Sequence, residues 1–452
     1  MLYYILKVIV NIFYRVFYKI QVRNIHYVNS EKATVLSVNH SNAFIDPTIL
    51  GMLTKKKVRF FARGDVFRKK MVRRALESLN ISPMFRMQEG GFSEVRKNDK
   101  TFEECKKLLS ENKNVMLFPE AICVQERRIR KLKKGLTRIV FMTEEEFDFK
   151  KDVMIAPVGL NYSNPSKIRS KVFIDFGKPF SLKDFELKYK QDKVKTINEF
   201  TAFLQKKMEE LVVVIDNPEN DQLVGEIEKI YMYEWLKDEE CKNADLCAET
   251  EVSKKIAGMV NYFDKNSPER ISSIKQKIIP YTAKLNSLRL RDHLFRKESI
   301  EGMSGWTFFF DFLLIWFGMP CFFIGMLMNY PPYFFAKKFA DKKVKNIEFY
   351  SSVHANLAWI LWFPWYGLQL LAIALLFRSW LLLAIYSVLV PVLFIYIIHY
   401  YPVMKKIFGR WRLLRLVRKN KNEIEKLMIT REEIISELDE MKNIFLETKI
   451  NP

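Results

Sequence analysis

The chain has 452 residues, enough for two or three structural units. Its 74 Lys and Arg against 52 Asp and Glu leave a net charge of +22, which points to an anionic partner: nucleic acid, a membrane surface or a phosphorylated substrate. The 37 Phe and 19 Tyr argue against a nucleic-acid binder and for contact with lipid, and five cysteines without CxxC spacing argue for a reduced, cytoplasm-facing compartment over a disulfide framework.

The opening stretch MLYYILKVIVNIFYRVFYKIQV (1–22) places Lys7, Asn11, Arg15 and Lys19 at every fourth position, a single polar stripe on an otherwise apolar helix. It has neither the unbroken apolar run nor the small-residue cleavage site of a secretory signal. A helix lying in the membrane interface fits this pattern; the alternative is a buried helix of the domain that follows. From Asn24 to about Gly177 short apolar runs read as strands: TVLSV (34–38), VRFFA (58–62), NVMLF (114–118), MIAPVGLNY (154–162) and VFIDFG (172–177). Helical patterns such as TFEECKKLLSENK lie between them, so the segment predicts an α/β layer. Thr196, with Glu199 three residues on, reads as a capping box opening a helix that carries Ile197, Phe200, Phe203 and Leu204. Residues 217–300 are charged and helical, with no readable chemistry.

The composition then changes. Segments 306–330, 355–377 and 381–401 each approach the roughly 20 apolar residues a spanning helix needs, and the last two are separated only by Arg378, Ser379 and Trp380. Asp311 stands inside the first. Lys337, Lys338, Lys342, Lys343 and Lys345 precede the 355–401 hairpin and a basic tail follows it, which places both on the cytoplasmic side. With a cytoplasmic catalytic domain, segment 306–330 is then either re-entrant or divided into half-depth pieces at Asp311 and Pro320; otherwise the charge rule fails here.

The chemistry concentrates in VLSVNHSNAFIDP (35–47). Asp46-Pro47 reads as a helix start, with Asp at the N-cap and Pro at the first helical position. His40 then sits on the turn between strand and helix, where the carboxylate can reach back to the imidazole. That pairing fixes the tautomer and stabilises the ring as it takes a proton. A capped turn with an incidental His explains the same residues.

Further blocks follow in order: ISPMFR ending on Arg86, MLFPEA with Glu120, and IAPVGL. The four together resemble the phospholipid/glycerol acyltransferase family, over roughly residues 30–180, about a third of the chain. The resemblance implies an acyltransferase-type α/β domain with a mixed sheet, followed by a helical region and C-terminal transmembrane helices. It implies transfer of a fatty acyl group from acyl-CoA or an acyl carrier protein to glycerol-3-phosphate or 1-acylglycerol-3-phosphate, with no metal and no cofactor. His40 would be the general base and Asp46 its orienting partner. Arg86 would hold the acceptor phosphate, since a guanidinium fork matches phosphate oxygens. Glu120 would bond the glycerol hydroxyls or order the arginine; its alternative is a structural carboxylate capping the next turn. Asn39 and the amides near Ser41 and Asn42 would polarise the thioester carbonyl.

The chain departs from the family in three places. Five residues separate His40 from Asp46 where four are usual, a form that resembles the fungal glycerol-3-phosphate and dihydroxyacetone-phosphate branch, which also carries C-terminal membrane segments. Ala121 replaces the usual Gly after Glu120. Cys123 stands where many members have Arg, a loss that Arg127, Arg128, Arg130 and Lys131 can replace. Arg63 and Asp65 fall where the family has a basic and an acidic residue and read as shaping the site. His26, His293, His354 and His399 read as surface, interface or packing. The expected organisation is an interfacial helix (1–22), an acyltransferase domain (23–215), a charged helical region (216–300), a membrane region (301–402) and a basic cytoplasmic helical tail (403–452). The rival readings are an acyltransferase acting on another lysophospholipid or a lipid amino acid, and a non-catalytic lipid-binding membrane protein.

Overall fold

A computed structural model describes residues 2–28, 31–84, 98–239, 245–302 and 304–450. The chain forms two compact units, one of residues 1–214 with 345–352, the other of 215–344 with 353–452.

The first unit is built on one sheet. Its strands are β1 (Tyr18–Arg23), β2 (Thr34–Val38), β3 (Val58–Arg63), β4 (Ile81–Met84), β5 (Asn114–Leu117), β6 (Met154–Tyr162), β7 (Ser170–Phe176) and the short β8 (Phe180–Ser181). Their spatial order is β1-β7-β6-β2-β5-β3-β4, with β8 on β6. Strands β6, β2, β5, β3 and β4 run parallel; β7 is antiparallel to β6, and β1 is parallel to β7. The sheet is therefore mixed. All five residues of β2 are buried, as are those of β5. Burial on both faces selects apolar runs in place of alternation, which is why these strands read as Val- and Leu-rich segments. Each fully buried aliphatic side chain there contributes about 1.5–3 kcal/mol of burial free energy.

Two boundaries differ from the sequence pattern. The opening segment is not one helix over 1–22. Helix α1 covers Leu2–Phe17, and Tyr18–Arg23 is the edge strand β1, pinned by a bidentate Arg23–Asp175 pair at 2.9 and 2.5 Å across to β7. Tyr14, Phe17 and Tyr18 are buried in the domain, whereas Val8 and Ile12 face outward, 60% and 58% exposed. The polar stripe is not uniformly solvated either: Lys7 Nζ donates to the Thr54 carbonyl at 2.6 Å, and burial lowers its pKa. The capping box at Thr196 is likewise overturned. The helix runs Lys193–Glu209, Asp192 is its N-cap and accepts from the Lys195 amide at 2.9 Å, and Thr196 is buried inside it.

The second unit is helical. Asp221–Asp238, Leu246–Asn266, Pro268–Ser287 and Lys421–Ile450 pack together around Ile227, Ile256, Ile274 and Leu438. The charged residues of this unit include a buried Arg431–Asp292 pair with Glu234 at its edge: Arg431 Nε donates to Asp292 Oδ1 at 3.0 Å, and its Nη2 to Glu234 Oε1 at 3.0 Å. Three further helices are long and apolar enough to cross a membrane: Gly305–Lys343, Ile347–Phe377 and Trp380–Lys419. Each extends beyond the apolar run read from the sequence. The last carries the basic tail as far as Lys419. The break between the second and third lies at Arg378, whose φ is +46°, and at Ser379, whose Oγ caps the Leu382 amide at 3.4 Å.

Candidate active site

Three neighbouring parallel strands end together, and the candidate residues lie at or just beyond their carboxyl ends, the usual ligand-binding edge of an open α/β sheet. His40 follows β2, Glu120 follows β5, and Tyr162 closes β6. Val38 is in register with Val158, so the last four residues of β6 overhang the turn after β2.

His40 Nδ1 lies 3.0 Å from Asp46 Oδ2, with Asp46 fully buried and the imidazole 14% exposed. The acceptor on one side fixes the proton on Nδ1 and leaves Nε2 to take another. The ring stacks on Phe118, centroid to centroid 4.1 Å. Asp46 does not cap a helix forward, as the sequence suggested. Helix α2 (Ile45–Leu53) begins two residues earlier than expected, and the carboxylate turns back to accept from the Ser41 amide at 2.9 Å and the Asn42 amide at 2.7 Å. Its other oxygen accepts from the Tyr162 hydroxyl at 2.6 Å. Burial and the adjacent Asp46 charge raise the Tyr162 pKa well above the usual phenol range, so it acts as a donor. The sequence reading missed Tyr162, because only strand register brings it to Asp46.

The groups expected to polarise a carbonyl are occupied. Asn39 Nδ2 donates to the Leu160 carbonyl at 3.1 Å and its Oδ1 accepts from the Leu160 amide at 2.7 Å, a clamp between β2 and β6. The Ser41 and Asn42 amides serve Asp46. Glu120 is anchored on both oxygens: one accepts from the His40 amide at 3.0 Å and the other from the Arg130 amide at 3.1 Å. It thereby ties the His40 turn to the loop after β5. Burial raises its pKa, and the two amides partly offset that. Cys123 Sγ accepts from the Ala43 amide at 3.1 Å, beneath the same turn, and burial raises its thiol pKa.

That loop brings basic side chains to the site's edge. The Val124 amide donates to the His40 carbonyl at 3.1 Å, so Arg127, Arg128 and Arg130 follow within a few residues of an anchored point. Arg130 is forked onto Glu126 at 3.2 and 2.6 Å. Arg86 lies outside the described residues. Arg63 ends β3 and Asp65 lies in the turn after it; their side chains are also outside the described set. Among the described residues no cluster of three His, Cys, Asp or Glu could hold a metal ion.

Ala121 has φ +62°, in the left-handed region where a Cβ costs roughly 1–2 kcal/mol. This gives the usual glycine a physical reason. Ala121→Gly is expected to raise stability by about 0.5–1 kcal/mol, read from thermal or denaturant midpoints. A loss of stability would mean that the methyl's packing outweighs the backbone strain.

A family model described as Acyltransferase matches residues 19–161. The chain is 23% identical over 246 residues to glycerol-3-phosphate O-acyltransferase 1 of Saccharomyces cerevisiae, an alignment covering 53% of this chain and 31% of the yeast protein. The chain thus spans about a third of the length of the curated relative it matches. Among solved structures it is similar to the 1-acyl-sn-glycerophosphate acyltransferase PlsC of Thermotoga maritima, at 19% identity, covering 44% of this chain and 74% of that one. The TM-score of that match is 0.32.

Proposed function

From the premise that residues 19–161 are an acyltransferase-family domain, we propose that the chain is a membrane-bound O-acyltransferase of phospholipid synthesis. It moves a fatty acyl group from a thioester, acyl-CoA or acyl carrier protein, to a hydroxyl of glycerol-3-phosphate or 1-acylglycerol-3-phosphate. The observation that carries the reading is the His40–Asp46 pair at the end of the central strand inside the matched segment. His40 Nε2 takes the hydroxyl proton as the oxygen bonds to the thioester carbon. The carbon–sulfur bond then breaks, and His40 returns the proton to the leaving thiolate. Asp46 stabilises the imidazolium in between, and Tyr162 with the Ser41 and Asn42 amides holds Asp46 in place. The phosphate is gripped by Arg86 together with the Arg127–Lys131 cluster. The three apolar helices anchor the chain, with the basic segments and the catalytic domain on the cytoplasmic side.

The test is thin-layer analysis of lipid made by the purified protein from acyl-CoA and labelled acceptor. Glycerol-3-phosphate is expected to yield labelled lysophosphatidate, or 1-acylglycerol-3-phosphate labelled phosphatidate. Labelling only of another lysophospholipid or a lipid amino acid changes the acceptor; no acyl product with any acceptor overturns the reading.

A further inference from the structure

Two buried serines lie far along the chain from the catalytic blocks, at the start of the apolar helix Ile347–Phe377, and both meet the turn that carries His40 and Asp46. Ser351 and Ser352 are fully buried and belong to the first unit, as does the turn. Ser351 Oγ donates to Asn42 Oδ1 at 2.7 Å. Ser352 Oγ lies 3.2 Å from Asn42 Oδ1 and 3.4 Å from the Asn42 carbonyl, and it accepts from the Phe44 amide at 3.1 Å. A helical serine ordinarily returns its hydroxyl to a carbonyl of its own helix; these two reach another segment. Two neighbouring contacts strengthen the join: Gln125 Nε2 donates to the Ile347 carbonyl at 3.1 Å, and Phe44 packs edge-on against Phe349 at 5.8 Å.

The residue they hold sets the geometry of the dyad. The Asn42 amide donates to Asp46 Oδ2 at 2.7 Å, and its carbonyl accepts from the Ile45 and Asp46 amides at 2.8 and 3.1 Å. The Asn42 side chain is fixed from the opposite side, where Nδ2 meets the Tyr18 hydroxyl at 3.3 Å. The Asp46 end of the loop is therefore referred directly to Asn42 and His40 to it through Asp46, while Asn42 is referred to the serines.

We propose that Ser351 and Ser352 are positioning residues that hold the His40–Asp46 turn in its working geometry, so that the site is complete only when the start of this apolar helix is seated on it. The consequence for catalysis rests on the acyltransferase reading above. A displacement of about 1 Å at a reacting group can cost about a hundredfold in rate.

The experiment uses the full chain in detergent or nanodiscs, native against the Ser351→Ala/Ser352→Ala double variant. Hydrogen–deuterium exchange is followed over residues 39–46, with β6 and the helix Leu246–Asn266 as references, alongside kcat and KM for acyl-CoA and the acceptor. The expected result is faster exchange confined to 39–46, a kcat roughly 10- to 100-fold lower, and both KM values within about twofold of native. Faster exchange everywhere, with kcat falling only as the folded fraction falls, would assign the serines to general stability and overturn the proposal. Unchanged exchange at 39–46 overturns it whatever the rates do, and faster exchange there with native kcat overturns the positioning role. If the native protein transfers no acyl group but exchange at 39–46 rises in the variant, the acyltransferase reading falls and the hold on the turn stands.

Discussion

His40→Ala is expected to lower kcat for acyl transfer by roughly 10²- to 10⁴-fold, the range spanned by general-base contributions. The protein should still fold, because the ring is a partly exposed side chain stacked on Phe118 and only its main-chain amide serves Glu120. Asp46→Asn should fall between the native enzyme and His40→Ala. An asparagine oxygen in the place of Oδ2 can accept from His40 and from the Ser41 and Asn42 amides, and its NH₂ can donate to a Tyr162 hydroxyl that has turned round. The turn survives, but the imidazolium loses its counter-charge in a buried setting. Steady-state rates with both variants, measured on protein of equal thermal midpoint, check this. Near-native turnover by His40→Ala would end the mechanism, and a drop for Asp46→Asn that exceeds that of His40→Ala would make Asp46 mainly structural.

The candidate residues could be picked out of the sequence, and their hydrogen-bond partners could not. His40 and Glu120 stand out because apolar strands stop just before them, Asp46 because it stands beside Pro47 at a helix start, and buried strands write themselves as short apolar runs. What each residue bonds is a long-range matter. Tyr162 meets Asp46 through the β2–β6 register, Glu120 joins amides ten and eighty residues away, and Ser352 reaches a turn over 300 residues earlier. Local signals also misled where two elements fuse. Tyr18–Arg23 continues the four-residue polar rhythm of α1 through Lys19, so only its pairing with β7 shows it to be a strand. Asp46-Pro47 carries cap chemistry, yet the helix starts at Ile45 because the Asn42 carbonyl accepts from both the Ile45 and Asp46 amides. In the second unit, the charged stretch before residue 300 and the charged tail carry no local signal that joins them, and only packing shows them as one bundle.

Asp311 in the first apolar helix is the charge the sequence left unexplained, and the second large effect is expected there. It is buried, and Arg410 from the helix Trp380–Lys419 forks onto it, with Nε at 2.9 Å from Oδ2 and Nη2 on Oδ1. The two helices run antiparallel: Tyr400 donates to the Leu314 carbonyl at 3.1 Å, Tyr396 to the Gly318 carbonyl at 3.0 Å, and Asn329 to the Val390 carbonyl at 3.3 Å. Gly318 permits the approach, since a Cβ there would lie 2.3 Å from the Tyr400 ring. This pairing puts Gly305 level with the basic end of the last helix. Arg410→Leu strands a buried carboxylate and is expected to cost about 3–5 kcal/mol, seen as a fall of roughly 6–20 °C in the tryptophan-fluorescence melt of detergent-solubilised protein. Asp311→Leu alone leaves a cation that lies nearer the helix end and is 21% exposed, so it should cost less. The double variant Asp311→Leu/Arg410→Leu removes both charges and should return to within about 1–2 kcal/mol of native, since an apolar pair of similar volume often replaces a buried ion pair at little cost. A double variant no more stable than Arg410→Leu would show that the pair fixes the helix register and that neutralising Asp311 is not the whole of its role.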